Sequence, residues 1–203
     1  YLWKGAYDPV VGVDGYRPGA EATAIAGVDY VTDNSTASLT AAGTFFFTDQ
    51  IDRLVVFQNG KQFTVQAAFE HRAHDVTLRA EVSEIIRLKN RLNGTAGERL
   101  LYETRDSNGN NLRGEVNVHW SPDPAFSLYL RGAGKHLTEN GHPETSPLYM
   151  GSGHLWGGGG GLRFHLPSGH RLSLHGMWWE GSANGDSGDL DALHLRLGYA
   201  FPL

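Results

Sequence analysis

The residues best equipped for chemistry are the ten histidines, the arginines of the C-terminal half and a few serines beside histidine. His165, His175 and His194 stand on three successive candidate strands and could approach one another, an arrangement that would suit an imidazole-bound metal. No HExxH or comparable ligand pair accompanies them, and the neighbouring arginines would repel a cation, so no metal site is expected. His170, Ser173 and His175 lie close in the chain. Same-face neighbours on a strand are nearly ~7 Å apart, however, too far for a serine hydroxyl to reach its base. No GxSxG elbow and no phosphate-binding loop is present. The sequence therefore predicts no catalytic residues and no cofactor. His71 and His74 fall in an expected short turn, as solvated polar side chains.

Composition narrows the classes further. A chain of 203 residues suffices for one domain with a sizeable core, expected to span residues 1–203. Cysteine is absent, which removes disulfides, thiolate metal sites and cysteine nucleophiles. The formal charge is -5, from 17 basic and 22 acidic residues, so no broad basic surface for nucleic acid is expected. No apolar run approaches the roughly 18 to 20 residues of a membrane helix. A transmembrane barrel stays open, because its strands alternate apolar with polar residues and average to a soluble-looking composition. The 27 Gly with 5 Trp, 8 Tyr and 9 Phe suit tightly turned sheets better than helices. No leader precedes Tyr1, as expected of a mature or trimmed chain.

The elements that must position the polar residues follow from a period of two. In 193-LHLRLGYAF-201, Leu193, Leu195, Leu197, Tyr199 and Phe201 alternate with His194, Arg196, Gly198 and Ala200. Upstream, 162-LRFHL-166 and 171-RLSLHGMW-178 flank a turn at 167-PSGH-170. The same device joins 112-LRGEVNVHW-120 to 126-FSLYLRG-132, residues 63–69 to 76–83, and 22-ATAIAGVDYV-31 to 37-ASLTAAGTFFF-47. Longer polar or Gly-rich connections, residues 48–62, 89–111, 137–156 and 181–189, separate these hairpins. The 157-GGGGG-161 run leads directly into a strand, where glycine permits a bend or close approach. A further strand around 2-LWKGAYD-8 brings the expected count to about ten, each of about nine to eleven residues. Counting 53-RLVVF-57 and 100-LLYE-103 as well gives about twelve, although these are better read as hairpins rising above the main sheet.

This pattern resembles a small bacterial outer-membrane β-barrel: alternating strands, short turns at one end, long connections at the other, and an aromatic-rich last strand. Trp3, Tyr7, Phe47, Phe69, Trp120, Phe126, Trp178, Tyr199 and Phe201 lie toward strand ends, where aromatic girdles form. The resemblance implies a single up-and-down antiparallel transmembrane β-barrel in the bacterial outer membrane, embedded in its lipid. It implies that Tyr199 and Phe201 are recognised by the barrel assembly machinery, with Pro202 and Leu203 departing from a terminal aromatic. A soluble β-sandwich or calycin-like barrel shares the alternation and is the competing architecture.

With the apolar face toward lipid, the lumen receives Lys4, Asp8, Asp29, Glu70, Arg79, Glu81, Arg87, Arg113, Glu115 and His119 from the first part of the chain. Arg131, Lys135, Arg163, His165, Arg171, His175, His194 and Arg196 follow from the second. Arg131, Arg163, Arg171 and Arg196 are expected to lack nearby carboxylates and to favour anions. The function implied is a porin-like passive channel for small anionic solutes. The alternative is a non-conducting barrel acting in adhesion or envelope assembly, with a protein partner at the outer loops, and a barrel enzyme acting on lipid is the remaining reading.

Overall fold

The computed structural model describes residues 16–51, 53–93, 99–166, 169–183 and 188–201. The described residues are all-β, 73% strand, with no helix among them. No helix of the described residues is therefore long and apolar enough to cross a membrane, which says nothing about strands.

Nine long strands form one antiparallel sheet. In chain order they are β2 (Glu21–Val31), β3 (Ser35–Phe46), β6 (Gln62–Ala73), β7 (Val76–Arg87), β10 (Asn111–Asp123), β11 (Phe126–Leu137), β12 (Gly153–His165), β13 (Arg171–Ala183) and β14 (Gly188–Ala200). Each pairs only with its neighbours in that order, so the sheet is a meander with β2 and β14 at its edges. Five short strands, β1 (Tyr16–Arg17) ahead of β2 and, in the long connections, β4 (Asp49–Ile51), β5 (Leu54–Gln58), β8 (Arg91–Asn93) and β9 (Leu100–Tyr102), form a second antiparallel sheet. The segments around Arg53 and Leu100 thus belong to this smaller sheet and do not extend the large one. The expected first strand around 2-LWKGAYD-8, with Trp3, Lys4, Tyr7 and Asp8, lies outside the described residues, as do Pro167, Ser168, Pro202 and Leu203.

Short turns join β2 to β3, β6 to β7, β10 to β11 and β12 to β13, all at one end of the sheet. The Thr32 amide donates to the Ser35 carbonyl (2.8 Å) and its hydroxyl accepts from the Ser35 amide (3.0 Å), closing the first turn. His74 closes the second with a φ of 50°, a left-handed conformation uncommon for a side chain with a Cβ. The strands run further than the alternation suggested. His71 lies within β6, not in the turn, and its Nδ1 is 2.8 Å from the Ser35 hydroxyl on β3. The five-glycine run lies wholly inside β12, paired with β11 on one side and β13 on the other.

No closed barrel is present among the described residues. The directions of the edges follow from the register. β2 starts opposite the end of β3 (Glu21 with Phe46), and β14 starts opposite the end of β13 (Gly188 with Ala183), both at the long-connection end. The two edge strands therefore run parallel to each other, as they must in a meander of odd strand number.

Candidate functional site: the polar face of the large sheet

Residues directly opposed across a ladder point to the same side of a sheet, so the register sorts every side chain into two faces. One row runs Asp29, Ser38, Ala68, Glu81, Glu115, Ala133, Gly157, Trp179, Ala192. The next runs Val31, Thr36, Glu70, Arg79, Asn117, Arg131, Gly159, Met177, His194. A third places His119, Tyr129, Gly161, His175 and Arg196 together. Arg87, Arg113, Lys135, Arg163, His165 and Arg171 fall on this same face. All the charged and histidine positions assigned above to a lumen and lying among the described residues thus share one side.

The opposite face is apolar and more exposed. Leu197 is 72% exposed, and Leu195, Leu193, Val28 and Leu130 on that face are exposed as well. The one buried large apolar side chain among the described residues, Met177 at 3%, sits on the polar face. At the short-turn end the apolar face carries Trp120, a Phe126–Phe164 pair (ring centroids 5.3 Å apart) and Tyr199, whose hydroxyl lies 2.6 Å from His170 Nδ1. Toward the other end Trp156 and Trp178 meet edge to face at 5.4 Å.

Charge on the polar face is unevenly matched. Glu70 accepts from Arg79 Nε at 2.6 Å and pairs with Arg72 Nη2 at 2.6 Å. Glu115 pairs with Arg131 Nη2 at 2.6 Å and with Arg113 at 3.6 Å. Arg131 is therefore neutralised, contrary to its expected isolation: it sits directly opposite Asn117, one row from Glu115, and its fork reaches across the strand. Among the described residues, Arg163, Arg171 and Arg196 have no carboxylate within ion-pair distance. Arg87 on β7 and Lys135 on β11 have none either, so three of the five polar-face cations without a carboxylate partner lie on β12 to β14.

Tyr129 and Trp179, on the polar face, escaped the sequence reading. Tyr129 stacks on His175 at 5.5 Å, and His175 meets His194 edge to face at 6.0 Å. Tyr129 and Trp179 are in phase with Ser127 and His175, which is the signal that could have placed them inside. The three candidate metal histidines do not converge: His165 Nδ1 is 3.0 Å from the Pro124 carbonyl at the turn end. No cluster of three or more ligating side chains exists among the described residues. Ser173 contacts the Gly198 carbonyl at 3.4 Å and His170 contacts Tyr199, so no nucleophile and base meet there.

A second polar cluster, invisible in the spacing, ties the long connections together. Glu103, 8% exposed, accepts from the Asn90 amide (2.9 Å), the Ser107 amide (3.1 Å) and the Ser107 hydroxyl (2.7 Å). His142 Nε2 lies 3.1 Å from that hydroxyl. Burial pushes the Glu103 carboxyl up, but the hydrogen bonds from Ser107 and Asn90 outweigh it and hold the group below its ordinary range. The acid bonds the serine directly and does not orient the histidine, so this is a structural knot and not a relay for nucleophilic attack. The buried Asn140 side chain donates to the Leu148 carbonyl at 2.8 Å, and the Gly141 amide donates to Asp106 at 2.7 Å. At Gly60 an added Cβ would lie 1.6 Å from the Leu88 carbonyl oxygen, so only glycine lets those two connections touch.

No protein-family model, curated protein or solved structure matches the chain.

Proposed function

We propose that the large sheet is the wall of a β-barrel of the bacterial outer membrane, serving as a porin-like passive channel for small solutes with a preference for anions. The inversion of its faces carries this reading. A sheet in water buries its apolar face and solvates the other. Here the apolar face is the exposed one, and the charged face holds the buried positions. The chain exposes 14273 Å², against about 9,400 Å² for a compact soluble chain of this mass. Hydrocarbon around the apolar face removes the conflict, because strands whose backbone groups are paired can stand in lipid. From Leu193 to Phe201 the exposed face extends about eight rises of about 3.3 Å, roughly 20 Å at a tilt of about 40°, close to the height of a barrel's apolar band.

Closure requires one more strand. Parallel edges cannot complete an antiparallel barrel by joining each other, but a strand running from the turn end to the long-connection end would pair antiparallel with both. The count of about ten strands expected from the sequence meets that requirement. A ten-stranded barrel results, assembled with the barrel assembly machinery acting on the Tyr199 and Phe201 end.

Arg163, Arg171 and Arg196 would bias the lumen toward anions, since uncompensated cations set the local potential of a narrow aqueous path. Planar-bilayer recording under a chloride gradient tests this: small steps with an anion-biased reversal potential are expected, and Arg163→Gln with Arg196→Gln should reduce the bias at least severalfold. A membrane-inserted protein giving no steps would contradict conduction. The hydrogen-bonded knot of the long connections favours the second reading in that case, a non-conducting barrel that presents a fixed surface for adhesion or envelope assembly.

A further inference from the structure

The polar wall of β11 to β14 changes chemistry along its length. At the long-connection end Leu137, Leu155 and Leu190 surround Gly153 and Gly181 and, with Lys135 at the margin, border a cavity of about 240 Å³. These leucines are out of phase with the apolar face: Leu155 lies opposite Gly181, which lies opposite Leu190. Trp179 and Met177 come next along β13. The Tyr129–His175 stack follows, then Arg196 opposite His175, and Arg163 opposite Ser173.

The β12 glycines decide how this wall is filled. A Cβ on Gly157 would stand 2.5 Å from Trp179 Cε3, and one on Gly161 would stand 2.6 Å from Tyr129 Cζ. Both rings therefore lie flat across a neighbouring backbone, covering the wall without projecting far into the interior. A wall needed only to plug the barrel would carry bulk at these positions. On β6 to β11 four arginines are held by Glu70 and Glu115, whereas Arg163 and Arg196 have no carboxylate partner among the described residues and are left to find an anion elsewhere.

We infer that this wall is a binding track for amphipathic organic acids, the apolar body lying on Leu155, Leu190 and Trp179 and the acidic head between Arg196 and Arg163. The inference rests on the reading of the polar face as a water-filled lumen and names the solute class. Arg196 lies six rises along β14 from Leu190, about 20 Å at about 3.3 Å each, the reach of an extended alkyl carboxylate once the arginine side chain leans toward it. An inorganic anion would use only the cationic end, and a neutral amphiphile only the apolar end.

The test uses the full chain in lipid nanodiscs, with empty nanodiscs as the background. Acetate, hexanoate, decanoate, decanol and decyltrimethylammonium are titrated against tryptophan fluorescence and equilibrium dialysis, and the same carboxylates are added during chloride recording. Affinity should rise with chain length, up to about threefold to fourfold per buried methylene, and decanoate should bind at least tenfold tighter than decanol. Arg163→Gln with Arg196→Gln should erase the advantage over decanol, with Arg196→Lys retaining it. Leu155→Ser with Leu190→Ser should flatten the chain-length series. Circular dichroism verifies that each variant is folded. Decanoate binding no tighter than decanol to the folded wild type overturns the inference, even where anion-selective current persists. Arginine-dependent decanoate binding without current supports the track and contradicts conduction.

Discussion

At the residue scale, position within a two-residue alternation decides what a side chain experiences. Leu195 and Arg196 are adjacent in the chain and stand on opposite faces. Leu195→Arg should cost roughly 2 to 4 kcal/mol, the depth-dependent penalty for a cation on the lipid face, as read by urea titration of folding into lipid vesicles. Ser173→Asp, on the polar face opposite Arg163, should be neutral or stabilising in the same titration. An equal loss for both would mean that the faces have been assigned to the wrong solvents. The identity of the polar-face charges was legible because strict alternation needs nothing beyond the local sequence. Their pairing was not: Arg131 meets Glu115 only because a ladder sets two strands in a particular register, and register is a long-range property.

At the element scale, the eight long strands from β2 to β13 and the body of β14 were readable from periodicity. Their ends and the connections were not. The hydrogen-bonded knot around Glu103 uses Asn90, Ser107 and His142, residues of ordinary loop composition whose meeting depends on two long connections, 89–111 and 137–156, folding over one another. Because the Glu103 carboxyl is held below its ordinary range, its stabilising contribution is complete above that range and is lost as the pH falls through the lowered value. The protection of the residue 103–107 amides, their exchange taken relative to the intrinsic rate at each pH, should therefore fall on acidification in the wild type. Glu103→Gln should flatten that dependence, and Glu103→Ala, which orphans buried donors, should cost about 1 to 3 kcal/mol of local stability at neutral pH. Protection in these residues that is indifferent to pH would remove the carboxylate from the account. The last strand makes a separate demand. Phe201 is exposed and packs against Tyr199 with ring centroids 6.4 Å apart. Phe201→Ala should slow assembly in cells more than it lowers the stability of protein already folded, since an exposed aromatic contributes little packing but provides interfacial anchoring. Equal folding yields of the two proteins in cells would count against this role.

At the scale of the whole molecule, the barrel proposed above makes two demands, hydrocarbon over the apolar face and a further strand between the parallel edges. The central claim, that lipid covers one face and water the other, is tested most directly on β14. The chain has no cysteine, so single substitutions at Leu193, His194, Leu195, Arg196 and Leu197 each accept one spin label. With the protein reconstituted in lipid vesicles, labels at Leu193, Leu195 and Leu197 should be relaxed strongly by oxygen and weakly by a water-soluble nickel chelate. Labels at His194 and Arg196 should show the reverse. A period-two alternation between the two relaxants is the predicted result, and nickel access that is uniform along the strand, or greatest at the leucines, would contradict the account.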